Sequence, residues 1–253
     1  MGTWGQRSGE RSAGALLNRA EVAPRRNDPG QYDDLVDEWW APRGSLAMLQ
    51  WIAEARAALI APATHPGAVL VDVGCGAGLM ADHVAAKGYV HVGVDLSGSA
   101  LGVARGHGVV VVRGEAERLP LADSAADVVC AGEILEHLED HVGAVVEACR
   151  VLRPGGALVI DTIAATTRAR LVAVVLGEAA KVVPRYLHDP ALFVDRAELV
   201  ATCAAAGVHL TLRGLRPAIG ATLAWRCGLA TGGRMVPTRS TAVLFQGYGE
   251  KVH

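Results

Sequence analysis

Glu133, Glu136 and His137 stand within five positions of one another in the run Cys130-Ala-Gly-Glu-Ile-Leu-Glu-His-Leu-Glu-Asp140. Two carboxylates and an imidazole so close in sequence converge on one cation if the chain turns there. A carboxylate pair favours a hard divalent ion such as Mg²⁺, which keeps open positions for water or for oxygens of a second molecule. Without a metal, Glu133 would cap the next helix or face solvent, and His137 would simply pack. A second set lies upstream in Val71-Asp72-Val73-Gly74-Cys75-Gly76-Ala77-Gly78. Glycines there let the backbone approach a ligand where a Cβ would collide. Dinucleotide sites use a similar turn, but two details point elsewhere. The spacing is Gly-x-Gly-x-Gly rather than Gly-x-Gly-x-x-Gly, and a carboxylate at Asp72 would repel a pyrophosphate. That acid suits a ligand carrying a cationic amino group and a sulfonium. Asp95, twenty-one positions after Gly74 in Val92-Gly-Val-Asp95, is placed to accept both hydroxyls of a ribose.

These residues need a scaffold that brings strand ends together. The run Ala68-Val-Leu-Val-Asp-Val73 is short, apolar and β-branched, and it stops at the glycine cluster, as a buried parallel strand does. Alternation continues with a helix over 79–87, a strand at 90–95, a helix near 98–105 and a strand at 108–113. Further strands fit 127–131, 156–162, 208–213 and 240–246, with helices over 140–151, 166–183 and 195–206. The pattern predicts an α/β fold, a doubly wound Rossmann-like sheet. Helical spacing of Tyr32, Leu35, Val36, Trp39 and Trp40, and a second helix from Ser45 to Ile60, add an N-terminal helical portion over 31–66. Residues 1–30 read as a flexible tail: five arginines suggest a transit peptide, but Glu10, Glu21 and Asp28 interrupt them. Residues 31–253 then form one domain, in which 214–238, rich in Gly and Pro, reads as a lid or insertion.

The series Asp72-Val-Gly-Cys-Gly-Ala-Gly78, Gly93-Val-Asp95, Gly114-Glu-Ala-Glu-Arg-Leu-Pro120, Asp127-Val-Val129 and Leu152-Arg-Pro-Gly-Gly156 resembles the class I S-adenosylmethionine-dependent methyltransferases. The resemblance implies their seven-stranded sheet. It also implies that Gly74 and Gly76 lie against the cofactor, that Asp95 takes the ribose, and that Glu115 faces the adenine edge with Ala116 beside it. A solvated acid in a turn is the plain alternative for Glu115. Trp39-Trp40-Ala-Pro-Arg-Gly44 with Ile52 and Arg56, and Lys181-Val-Val-Pro-Arg-Tyr-Leu-His-Asp189 with Phe193, Val194, Glu198 and Leu199, are similar to the ubiquinone-biosynthesis O-methyltransferases. The likeness runs from about Tyr32 to Tyr248. In that family an Arg at the position of Arg56 contacts the methionine carboxylate, and the residue at Gly132, often larger, gives a backbone contact to the cofactor. Its Glu-x-x-Glu-His series is a magnesium site, which carries over to Glu133, Glu136 and His137 as metal and catalytic residues. Trp39 and Trp40 read as packing of the N-terminal helix.

The resemblance therefore implies a Mg²⁺-assisted O-methyltransferase acting on a catechol- or quinol-like ring, either a polyprenyl quinone precursor or a natural-product intermediate. A metal-free C- or N-methyltransferase and a non-catalytic partner protein are the alternatives. Composition excludes other classes. The formal net charge of -2 argues against a nucleic-acid partner, and 4% aromatics leaves few stacking platforms for single strands. Five scattered cysteines without a CxxC pair point to reduced thiols and a cytoplasmic setting. No stretch offers the ~18 uncharged apolar residues of a membrane span. If the acceptor is a polyprenyl lipid, apolar residues between Leu171 and Val183, or in 214–238, are expected to meet a bilayer surface.

Overall fold

The computed structural model describes residues 26–28, 30–179 and 184–252; the expected tail falls almost wholly outside them. A short helix α1 (Gly30–Asp34) and a 3-10 turn (Val36–Glu38) lead into α2 (Ala47–Ala57), which buries Trp51, Ile52 and Ala53. The first strand, β1 (Val69–Val73), is buried along nearly its whole length because both sheet faces are covered, which is why it reads as a continuous apolar run. Then follow α3 (Ala81–Ala85), β2 (Val90–Asp95), α4 (Gly98–Gly106), β3 (Val110–Arg113), β4 (Ala126–Gly132), α5 (His141–Val151) and β5 (Leu152–Ile163). Side-chain caps fix where helices begin. Ser97 accepts from Ala100 N, Asp140 from Gly143 N, and Asp195 from Ala197 N and Glu198 N.

After β5 the chain forms α6 (Thr167–Ala169), a π-helical stretch Arg170–Leu176 and α7 (Gly177–Ala179). A 3-10 turn at Pro190–Leu192, α8 (Arg196–Ala205), β6 (Thr211–Pro217), α9 (Ile219–Arg226), β7 (Met235–Thr238) and β8 (Leu244–Glu250) complete it. The strands form one sheet in the order β3-β2-β1-β4-β5-β8-β6-β7. The pairs β3-β2, β2-β1, β1-β4 and β4-β5 are parallel, whereas β8 runs antiparallel to β5 and β6, and β7 antiparallel to β6. One core packs α5 and α8 against one face, with Val145, Cys149 and Leu199 on Val71, Val129 and Ile160. The other sets Trp39, Ala53 and Met80 against Leu70, Cys130 and Val159.

The α/β doubly wound class stands, with one strand more than the seven expected. The extra strand is β7, whose Pro237 sits on the outermost strand, where a missing N–H costs no ladder bond. Sequence placed the last two expected strands at 208–213 and 240–246, a few residues ahead of β6 and β8, because both runs are flanked by further apolar residues. The 214–238 segment supplies the end of β6, α9 and β7. It lies on the N-terminal helices: Trp225 meets Trp51 edge-on at 5.1 Å and donates to Pro42 O at 2.9 Å. No helix among the described residues is long and apolar enough to cross a membrane.

Candidate cofactor and metal site

Chain order reverses between β1 and β4, and in open α/β sheets the crevice at such a point binds ligands. A cavity lies there, at the carboxyl ends of β1, β2 and β4, with N-terminal residues such as Trp39 and Arg56 along its wall. It gathers most of the residues that sequence singled out: Arg56, Asp72, Gly74, Gly76, Asp95, Ala116, Gly132, Glu133 and His137. Glu115 is placed outside this lining. Its side chain is 57% exposed and faces Arg118 at 3.8 Å across the turn after β3.

The glycine turn follows the end of β1 with left-handed backbone at Gly74 (φ +68°) and Gly76 (φ +51°). A Cβ on Gly74 would come within 2.6 Å of Ile134, and one on Gly76 within 2.5 Å of the Trp39 ring. Asp95 organises the loop: Oδ2 accepts from Gly76 N and Oδ1 from Ser97 N, each at 2.8 Å. Burial raises its pKa, partly offset by those two donors. Asp72, buried at the end of β1, is approached by His91 Nε2 at 3.4 Å.

Arg56 reaches the cavity from α2 and is held on both sides. Nε donates to Asp161 Oδ2 at 2.7 Å and Nη2 to Oδ1 at 2.8 Å, a bidentate pair that leaves Nη1 for a ligand. Burial would lower the guanidinium pKa, but the Asp161 carboxylate outweighs it and the net shift is upward. Gly132 lies beneath the pair, and a Cβ there would fall inside the guanidinium. Absence of a side chain at 132 is thus what makes room for Arg56. Asp161, an acid at the end of an otherwise apolar strand, went unnoticed in the sequence although its interruption of that run was a signal.

Beyond β4 the chain turns sharply. Glu133 adopts φ +54°, its N–H donates to Asp161 O at 2.8 Å, and a 3-10 turn (Leu135–His137) follows. Glu136 is fully buried; Oε2 accepts from the Thr162 hydroxyl at 2.7 Å, while Oε1 has no donor. Glu133 Oε1 is likewise buried without a partner. Burial, reinforced by Glu136, holds the Glu133 carboxyl well above its usual range, and burial raises Glu136 to about 7. Two enclosed carboxylates with orphaned oxygens are what a divalent cation would neutralise, so these residues fit a metal. Among the described residues the ligand set differs from the sequence expectation, however: Glu136, His137 and His188 each offer a ligand atom within 4.8 Å of the others, and Glu133 stands outside that group. His188 lies just ahead of the Pro190–Leu192 turn, too far along the chain for spacing to reveal it.

The imidazoles are enclosed as well. Burial, then the neighbouring His188, pulls His137 down to about 3, and burial takes His188 to about 4. His137 Nε2 faces the Tyr32 hydroxyl at 3.0 Å and Nδ1 faces Asn27 Oδ1, while Asn27 Nδ2 donates to His137 O at 2.9 Å. Asn27 thus belongs to the site wall, although sequence placed it in the tail.

A family described as a methyltransferase domain matches residues 71–160. A ubiquinone biosynthesis O-methyltransferase of Paraburkholderia phymatum is 36% identical over 188 residues, covering 70% of this chain and 81% of the relative. The enzyme of the same description from Thiobacillus denitrificans is 34% identical over 204 residues, 76% of this chain and 84% of the relative. Among solved structures, a possible histamine N-methyltransferase of Thermotoga maritima superposes with a TM-score of 0.59 at 20% identity, covering 87% of this chain and 96% of that one. At that identity the likeness speaks for the fold.

Proposed function

The chain belongs to the ubiquinone-biosynthesis O-methyltransferases, and from that premise we propose that it methylates one oxygen of a vicinal dihydroxy aromatic ring with the help of a divalent cation. S-adenosylmethionine is the methyl donor, as in the family. The observation that carries the reading is the pair of buried, unpartnered carboxylate oxygens of Glu133 and Glu136 next to His137: Glu133 and His137 line the same cavity as Asp72 and Asp95, and Glu136 is fully buried behind them.

Asp95 would accept the ribose hydroxyls, Arg56 Nη1 the methionine carboxylate, and Asp72 the amino group. The Gly74 and Gly76 turn, packed against Ile134 and Trp39, would present its backbone to the cofactor at the strand ends, with Ala116 and Gly132 also on the cavity wall. A phenol with a pKa near 10 is a weak nucleophile at neutral pH. A divalent cation held in this site would supply the charge that favours the phenolate. Glu136 and His137 would hold it, with Glu133 adding a second carboxylate to the wall. In-line attack of the ring oxygen would form the oxygen–methyl bond as the carbon–sulfur bond breaks, with the bonding pair leaving on sulfur. The protein's main contribution is to hold the two reactants close and aligned.

The test is turnover of a catechol with and without chelator. EDTA should abolish it and Mg²⁺ or Mn²⁺ restore it; a monohydroxy analogue, offering one oxygen, should be a poor substrate. Glu136→Ala should lose most activity yet bind S-adenosylmethionine with unchanged calorimetric affinity. Full turnover by metal-free protein in EDTA would overturn the proposal in favour of metal-free methyl transfer.

A further inference from the structure

Glu136 and His137 come from the turn after β4, and His188, fifty-one positions beyond His137, folds back onto them. One ligand atom from each lies within 4.8 Å of the others. The two imidazoles are stacked, centroids 5.2 Å apart and planes 25° from parallel, and Phe193 closes the far edge of His188 at 6.4 Å. The backbone at His188 is anchored: its carbonyl accepts from Arg26 Nη1 at 3.0 Å, and the same guanidinium pairs with Glu178 at 2.7 Å. His188 is 7% exposed and lines the cavity, and its ring makes no hydrogen bond among the described residues. Glu136 offers one carboxylate oxygen to that group, and its Oε1 is buried without a donor. A buried carboxylate oxygen with no donor is costly to leave unpaired, and a cation would satisfy it.

We propose that the metal centre consists of Glu136, His137 and His188, with His188 rather than Glu133 as the third protein ligand, and that it prefers a first-row transition dication to Mg²⁺. The proposal rests on the metal-assisted reading given above and changes its donor set. One carboxylate and two imidazoles are borderline nitrogen-rich donors that suit Mn²⁺, Co²⁺ or Zn²⁺, whereas Mg²⁺ selects oxygen. Asn27 Oδ1 beside His137 Nδ1 is the outer partner that orients a ligating histidine, leaving Nε2, now facing Tyr32, for the ion.

The experiment uses the full chain stripped of metal. Co²⁺ and Mg²⁺ are titrated by calorimetry and visible absorption, and bound Mn²⁺ is examined by pulsed electron paramagnetic resonance for nitrogen couplings. Wild-type protein should show two histidine nitrogens on Mn²⁺ and bind Co²⁺ on the order of a hundredfold more tightly than Mg²⁺. His188→Ala should remove one nitrogen coupling and weaken Co²⁺ about tenfold or more, with little change for Mg²⁺. Its melting temperature and S-adenosylmethionine affinity serve as controls for folding, and His188→Gln provides a second variant if alanine unfolds the chain. Unchanged couplings and Co²⁺ affinity in a folded His188 variant, with Glu133→Ala weakening both ions, would overturn this donor set and leave the metal-assisted reaction standing. Binding of no cation by wild-type protein would bring down both.

Discussion

Asp95 orders the loop at the mouth of the cavity and is the proposed acceptor for a ribose. Its carboxylate oxygens accept from Gly76 N and Ser97 N, so truncation frees two backbone donors and removes that proposed acceptor together. Asp95→Ala should weaken S-adenosylmethionine binding by roughly tenfold or more, the ~1–3 kcal/mol cost of unpaired polar groups, measured by calorimetry on folded protein. Gly132 makes a contrast with Gly102. A methyl at 132 would displace the buried Arg56–Asp161 pair, and breaking such a pair costs about 3–5 kcal/mol, so Gly132→Ala should lower the urea midpoint markedly. Gly102 lies on α4 with nothing within 4 Å of a Cβ, so Gly102→Ala should raise stability by up to about 1 kcal/mol. Both changes add one methyl; only position decides the sign. If both variants melt alike, the close approach of Arg56 to position 132 is wrong.

At the scale of elements, the π-helical stretch and α9 present apolar side chains outward. Leu171, Val172, Val175 and Leu176 are exposed on the first, and Ile219 and Leu223 on the second. From Leu199 to Gly249 there is no Asp or Glu but there are five arginines, which would complement an anionic surface. The expected outcome is sedimentation with anionic vesicles, weaker with neutral ones, and reduced for Leu171→Glu with Val175→Glu. No pelleting with either vesicle would count against a lipid acceptor. Sequence periodicity predicted helix over 166–183; the structure shows helical and π-helical turns to Ala179, and 180–183 lie outside the described residues.

For the whole molecule, the enclosed imidazoles and carboxyls of the cavity region link stability to pH. His137 and His188, held near 3 and 4 in the fold, take up protons only on unfolding, so they withdraw stability as pH falls below about 6.5. Glu136, raised to about 7, and Glu133, raised further, have the opposite sign: unfolding lets them ionise, so stability falls as pH rises above about 4.5. Between about 4.5 and 6.5 the two effects oppose, and above 6.5 the carboxyl effect acts alone. Metal-free protein should therefore melt lower at pH 8 than at pH 6.5 in EDTA. A bound divalent cation, which needs the ionised carboxylates, should reverse that slope. An identical downward slope with saturating metal would contradict cation binding at these residues.

Whatever is local or periodic could be read from the residues alone. Asp72, the glycine turn and Asp95 were legible because each falls at a strand end, where spacing and residue type together state the chemistry. The parallel half of the sheet was legible because strands buried on both faces write themselves as apolar runs. Tertiary structure decided what depends on contacts between distant residues. Nothing near Gly132 announces that Arg56 fills the space above it, or that Asp161 holds Arg56 there. His188 and Asn27 reach His137 from opposite ends of the chain, and no spacing rule joins positions that only folding makes neighbours. The eighth strand escaped for a related reason: an edge strand of four residues carrying a proline has too little periodicity to signal itself, and only pairing with β6 makes it a strand.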